Sequence, residues 1–507
     1  MATKSKGRKH LEVEEEELPS KFTPSKPKSE MYEKQEAMMN VEGEFAEEMD
    51  DEIESEEELI REETEDGSEI IEGIDDDVEI EKHYWLPGQG DETQELVYEP
   101  KAYKMYHKCL VEWSCLTLDI LPDKLGDNRT QFPHTCYVIA GTQANLEDNN
   151  HILLMKWSRM HKTKRDRDEN DNSDSDFSDS DDSVDDNFTD EDPIVNVAAI
   201  PHRGTINRIR VCPQLPNLVS TWSELGKVCM WDITESINSL NTDHLNSKTL
   251  KPSNLAKKST IKPRFSYDGH LDEGFSMDWN PNQIAQFASG DRKGNICFWQ
   301  PIQGGSWSVN PVHENFQSSV EAIQWKRDSN SSSIFAAGLV NSNICIVDIR
   351  SESDQLTIVN SHNGDVNCIS WNPFSENLLL SGSDDATIKL WDIRSTKDPL
   401  ETFIFHREPI LSVDWHHQDQ DVFLAASLDN SISFWDIAID DEVNNDEDNS
   451  DSKTDATLSG TPNIPKKLLF LHMGQEHIAE AKWHKQIPSL AISTAQDSFN
   501  VFIPSNL

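Results

Sequence analysis

His362-Asn-Gly-Asp-Val-Asn-Cys-Ile-Ser-Trp-Asn-Pro373 and, a little further on, Ser381-Gly-Ser-Asp-Asp-Ala-Thr-Ile-Lys-Leu-Trp-Asp392 decide the architecture. Val366–Trp371 and Thr387–Trp391 alternate apolar and polar side chains as half-buried strands do, and Asn372-Pro373 and Ser383-Asp384-Asp385 supply turn chemistry between them. The imidazole of His362, the carboxylate of Asp385, a hydroxyl from Ser381 or Ser383 and the indole N–H of Trp391 can close one buried hydrogen-bonded network. Buried polar groups are tolerated only when paired, so the set is expected to hold a small sheet together rather than to make His362 a base or metal ligand.

The unit recurs. His202 and Trp231, His270 and Trp299, His362 and Trp391, and His406 and Trp435 are each separated by 29 positions, and a fixed period marks an array. Val320–Trp325 with Asn343–Asp348 has the same strand pattern, but Phe316 takes the histidine's place and Val347 the tryptophan's. Strand sets before the array (Leu110–Leu118, Cys136–Gly141, His151–Trp157) and after it (Leu468–His472, Ile478–Trp483, Leu490–Thr494, Asn500–Ile503) bring the count to seven. The expected fold is all-β, a seven-bladed WD-repeat β-propeller over 98–507, with a short N-terminal helix over Glu99–Lys108. Six positions before the blade-ending residue stand Asp385 and Asp429 in the fifth and sixth blades, but Leu225, Lys293 and Asn341 in the second to fourth. The spacing therefore predicts complete networks only for His362, Asp385 and Trp391 and for His406, Asp429 and Trp435, with the early blades opening at lower cost.

The formal charge of −48 is unevenly placed. Residues 41–81 hold 22 acidic side chains against the single Arg61, residues 168–192 hold 13 with no Lys or Arg, and Asp440–Asp455 is a third acidic run. Such stretches cannot bury enough apolar surface to offset ordering, so 1–97 and the insertions at 162–193 and 440–462 are expected to be disordered. Clustered charge of one sign raises the local concentration and on-rate of the other. Glu57, Asp76, Asp181, Asp182, Asp446 and Glu447 are accordingly candidate contacts for a basic protein, while direct nucleic-acid binding is disfavoured because phosphates would be repelled. Ser173, Ser178, Ser183 and Thr189 each have an Asp three residues downstream, the pattern read by an acid-directed kinase. Each phosphate would add roughly −1.5 to −2.

Eight cysteines without a C-x-x-C pair, several among apolar strand neighbours, point to free buried thiols in a reducing compartment. The polar N-terminus shows no signal peptide, and no apolar run reaches the roughly 18 residues of a membrane helix. Short basic clusters at Lys4–Lys9, Lys162–Arg167 and Lys251–Arg264 are candidate nuclear-import patches. Phosphate-loop, dinucleotide, zincin and nucleophile-elbow motifs are missing from the sequence, so neither an enzyme nor a cofactor or metal is expected. His416-His417 falls where Asn372-Pro373 stands one blade earlier and reads as a surface turn.

Tyr103–Leu118, Tyr137–Thr142 followed by Leu153–Trp157, and Gly269–Gly274, together with the Glu-rich leader and the Asp/Ser-rich insertion, resemble the glutamate-rich WD-repeat proteins. Tyr103–Leu118 is also similar to the N-terminal segment of histone-binding WD-repeat proteins, although Trp113-Ser114-Cys115 departs from their Trp-Pro-Ser. In those relatives an N-terminal helix and an acidic loop before a Leu-Leu-Phe-Ile-His strand grip a basic histone helix; Asp440–Asp455 followed by Leu468–His472 resembles that loop and strand. The resemblance implies a monomeric, non-enzymatic chaperone that holds a basic large-subunit ribosomal protein and delivers it to pre-ribosomal particles. It places the protein in the nucleus and nucleolus, and also the cytoplasm, with Tyr103 and Tyr106 among the contacts. Two alternatives stand beside it. One is histone binding; the other is a cullin-type ubiquitin-ligase substrate receptor, because Arg350 and Arg394, two positions after Asp348 and Asp392, resemble an adaptor-docking motif.

Overall fold

The computed structural model describes residues 99–163, 192–242, 249–250, 261–312, 316–327, 332–350, 355–439 and 464–507. Their strands form seven antiparallel sheets, six of four strands and one of five. Blade 5 shows the plan: Val366–Trp371 lies innermost, Leu378–Ser383 and Thr387–Asp392 follow outward, and Glu401–Ile404 forms the rim. The apolar cores lie between neighbouring blades, one joining blades 5 and 6 through Leu380, Ile410, Trp415 and Trp435, another joining blades 6 and 7 through Leu424, Phe434, Trp483 and Phe502.

Close approach between blades has a local rule. At Gly382 an added Cβ would lie 2.5 Å from Ile410 of the next blade, and Gly141, Gly290 and Gly338 receive Ile206, Val320 and Val366 in the same way. Between blades 2 and 3 the partners are exchanged: Trp222 occupies the glycine's place, and Gly274 occupies that of the β-branched residue and packs against its indole. Total volume is thereby kept while its source moves to the other strand.

The innermost strands are also stitched end to end. Trp279, Trp325, Trp371 and Trp415 each end such a strand and donate Nε1–H to a carbonyl of the preceding blade, at Arg210, Asp278, Gln324 and Ser370, over 3.1–3.2 Å. In return, Asp119, Asp278 and Asp414 accept the backbone N–H of Val211, Trp325 and Trp483 in the following blade at 2.8, 2.8 and 3.1 Å.

Four blades carry a histidine–hydroxyl–tryptophan staple, more than the two the spacing predicts. In blade 5 His362 Nε2 and Trp391 Nε1 share Ser381 Oγ at 2.7 and 2.9 Å, with Asp385 and Thr387 beside His362 Nδ1. In blade 6 Ala425 replaces the strand serine, and Ser433, on the adjacent strand, holds both His406 and Trp435 at 2.7 Å while Asp429 pairs with His406 Nδ1 at 2.9 Å. Blade 3 is equally complete: Ser289 joins His270 and Trp299, and the carboxylate is Asp291, which enters from the opposite end of the turn to Lys293. Asp291 accepts from Asn295 and from the Leu271 N–H as well; these bonds outweigh burial and lower its pKa to about 2. Blade 2 closes without an acid, because the Gly204 carbonyl accepts from His202 Nδ1 at 2.9 Å and Thr221 bridges His202 to Trp231. Phe316 of blade 4 instead packs into the apolar core.

The ring closes through its earliest described strand. Tyr103–Val111 is the fourth strand of blade 7, antiparallel to Ser498–Pro504, with Tyr103 opposite Pro504 and Leu110 opposite Ser498. The expected helix over Glu99–Lys108 is therefore corrected at that position: only Pro100–Ala102 makes one 3-10 turn, capped by Glu99, before the strand begins. Alternating burial at Tyr103, Met105 and Cys109 suits a strand wedged between two blades better than a helix. Leu110 accordingly belongs to blade 7 rather than blade 1, and Leu468–Met473 is the outer strand of blade 6 rather than part of the last. An α-helix, Thr234–Thr242, packs beside blade 1. All eight cysteines are buried and free.

Candidate binding surface

Strand direction fixes where the acidic segments attach. Each innermost strand runs from its histidine-bearing loop to its Trp end, and successive strands of a blade are antiparallel, so loops joining third to fourth strands lie on the Trp side. The segment 164–191 joins the third and fourth strands of blade 1, and 440–463 joins those of blade 6. Tyr103–Val111 enters blade 7 from that same side, so the chain leading into Glu99 arrives there too. All three acidic segments thus root on one face, on the consecutive blades 6, 7 and 1.

The roots touch one another. Thr163, the last described residue before one insertion, donates its N–H to the Lys104 carbonyl at 3.1 Å, and its Oγ1 accepts the Tyr106 N–H at 2.9 Å. On the other flank the Tyr103 ring meets Phe470 edge-on at 5.3 Å, and its hydroxyl is hydrogen-bonded to His472 Nδ1 at 2.8 Å. His472 Nε2 is paired with the Asn500 side-chain amide at 3.0 Å and its ring stacks on Phe502. Burial pushes the His472 pKa down to about 3, keeping it neutral, and raises Tyr103 far above its usual range. Tyr103 is therefore a buried bolt between blades 6 and 7, while Tyr106, Leu469 and Phe470 remain partly accessible at the edge.

A second feature lies on the axis. A cavity of about 170 Å³ is walled by the innermost strands. Glu480 sits at its heart, taking Thr117 Oγ1 at 2.8 Å, Leu118 N–H at 2.9 Å and Arg210 Nη2 at 2.7 Å, with Arg208 at 3.3 Å. Burial alone would raise its pKa, but Arg210, Lys482 and Arg208 outweigh that and hold the carboxyl far below the usual range. This hub joins blades 7, 1 and 2, and no repeat motif announces it.

Arg350 and Arg394 are exposed, each folded back on the carboxylate two positions earlier, with Nη2 at 2.6 Å from Asp348 and from Asp392. Glu57, Asp76, Asp181, Asp182, Asp446, Glu447, Ser173, Ser178, Ser183 and Thr189 lie outside the described residues. His416 Nδ1 accepts backbone N–H groups from Gln418 and Asp419, the part Asn372 Oδ1 plays one blade earlier, whereas His417 lines the cavity. Among the described residues no group of His, Cys, Asp and Glu is arranged to hold a metal ion.

Comparison with known proteins adds two kinds of likeness. The family model for the WD domain, G-beta repeat, matches residues 353–392 and 397–436. The family model for histone-binding protein RBBP4 or a CAF1-complex component matches residues 93–161. The chain is 37% identical to Glutamate-rich WD repeat-containing protein 1 of Dictyostelium discoideum over 92% of this chain and 95% of that one. It is 36% identical to Protein HEAT STRESS TOLERANT DWD 1 of Arabidopsis thaliana over 84% and 92%, and 33% identical to Ribosome assembly protein rrb1 of Schizosaccharomyces pombe over 91% and 92%.

Proposed function

The chain belongs to the glutamate-rich WD-repeat family, and from that footing we propose that it is a non-enzymatic ribosome-assembly chaperone whose client is a basic large-subunit ribosomal protein. The observation that carries this reading is the rooting of three acidic segments on one face of three consecutive blades. Polyanionic arms around a rigid platform can neutralise an RNA-binding protein and keep it from premature RNA contacts, while the platform supplies selectivity. A relative named for ribosome assembly, similar over nearly its whole length, supports the setting. In this reading the protein works as a monomer in the nucleus and nucleolus, passes its client to pre-ribosomal particles, and is also present in the cytoplasm. Kinase action at Ser173, Ser178, Ser183 and Thr189 would deepen the charge of one arm.

Histone binding is the second reading, favoured by the family match over 93–161 and by the packing of Tyr103 against the strand that follows the 440–463 insertion. Affinity capture from nuclear extract at moderate salt, with mass spectrometry of the stoichiometric bands, separates the two. One basic large-subunit ribosomal protein near one-to-one supports the chaperone; core histones in its place overturn it, and a cullin adaptor recovered through Arg350 and Arg394 would move the protein to ubiquitin ligation.

A further inference from the structure

The Trp side of the channel departs from the repeat in a way that the packing of blades does not require. Two residues beyond the end of each innermost strand stand Pro122, Pro213, Pro281 and Pro373 in four blades, but Arg327, His417 and Lys485 in blades 4, 6 and 7. Those three side chains, with Lys482, line the same cavity. A chain carrying −48 overall gathers four nitrogen bases at one end of one channel.

The nearest carboxylates do not neutralise them. Asp278 and Asp414 each accept a backbone N–H of the next blade, and burial raises the pKa of both, Asp278 to about 6. Asp119 is taken by the Val211 N–H and by Lys482. Lys485 is water-accessible and has no hydrogen bond or ion pair with any described residue. Arg327 Nη1 donates to His417 Nδ1 at 3.4 Å, which requires a neutral imidazole there. Burial, then the adjacent Arg327 and Lys485, pushes the His417 pKa well down. Three donors with spare capacity therefore face one walled, water-sized space.

We propose that this mouth is a binding site for a small phosphate-class oxyanion, held by Arg327, Lys485 and His417. A tetrahedral anion offers acceptors on several sides at once, matching a guanidinium, an ammonium and an imidazole carried by three different blades. Its charge also favours protonation of His417, so anion and proton bind together. The site stands on described residues of the channel and is independent of the acidic arms; its failure would leave the chaperone reading untouched.

The test titrates sodium orthophosphate into the full-length protein at pH 7 and fixed ionic strength, following the ¹³Cε1–¹H resonance of His417, assigned by its loss in His417→Gln. A saturable shift with an upward move of the His417 pKa is expected. Lys485→Gln or Arg327→Gln should weaken binding on the order of tenfold, the loss of one charge-assisted contact. Pyrophosphate displacing orthophosphate would assign the natural ligand to phosphoanhydrides, and failure to displace it would assign free phosphate; both support the site. The same shift produced by chloride, or none at phosphate concentrations that saturate ordinary anion sites, overturns it. The wild-type comparison decides the matter even if a variant folds poorly.

Discussion

Among single residues, one hydroxyl per blade does the joining. Ser381 and Ser289 each hold a buried imidazole and a buried indole N–H, so removing either oxygen leaves two buried groups unpaired. Ser289→Ala should therefore destabilise as much as Ser381→Ala, each by about 1–3 kcal/mol in urea unfolding. An undiminished blade 3 on losing Ser289 would rule out the equivalence. The sequence spacing concealed this because it sought a carboxylate six positions before the tryptophan; Asp291 lies two residues earlier, at the other end of a turn of equal length, yet reaches the same imidazole. Histidines also set the pH response. Burial lowers the pKa of His134 and His202 to about 4 and of His472 and His484 to about 3, below the unfolded value near 6.5. The unfolded chain takes up these protons first as pH falls. Stability is thus full above about pH 6.5 and declines toward pH 4, by up to about 1.4 kcal/mol per pH unit for each such histidine. Thermal unfolding from pH 8 to 4 should show the decline setting in below pH 6.5; a flat profile to pH 4.5 would be incompatible with neutral burial.

Among the elements, closure of the ring depends on Tyr103–Val111. Deleting residues through 98 leaves this strand paired to Ser498–Pro504, whereas deleting through 111 exposes an unpaired edge and the apolar faces that covered Met105 and Cys109. The shorter deletion should keep a cooperative unfolding transition, and the longer one should aggregate or lose it. Tyr103→Ala, which empties the site between Phe470, His472 and Phe502, should cost about 3–5 kcal/mol, and Tyr103→Phe, which loses only the hydroxyl bond, about 1 kcal/mol. Gly382→Val should overpack against Ile410 at a cost of about 1–3 kcal/mol. Blades 2 to 6 were legible because their innermost strands carry both period-two alternation and a terminal tryptophan or apolar residue. The closing strand was not: Tyr-Lys-Met-Tyr-His-Lys-Cys-Leu has a bulge between Tyr103 and Met105 that interrupts the alternation, and its partner lies almost four hundred residues away. The attribution of Leu468–His472 to the last blade failed for the same reason, since one strand of each end blade is borrowed across the closure.

Over the molecule as a whole, charge and scaffold are separated in sequence but meet on one face. The acidic composition was plain in the sequence; the shared side and the consecutive blades were not, because they follow from strand direction, which only the closed ring fixes. If these segments capture a basic ribosomal protein by electrostatics, the affinity must reside in them and must be screened by salt. The decisive quantity is the affinity of that protein for the full chain, and for one lacking 41–81, 168–192 and 440–455, between about 0.05 and 0.3 M salt, a range over which the screening length roughly halves. The full chain should bind more tightly and lose affinity steeply with salt, while the deleted chain should bind weakly with a shallow slope; equal affinity and equal slope for the two would rule out electrostatic capture.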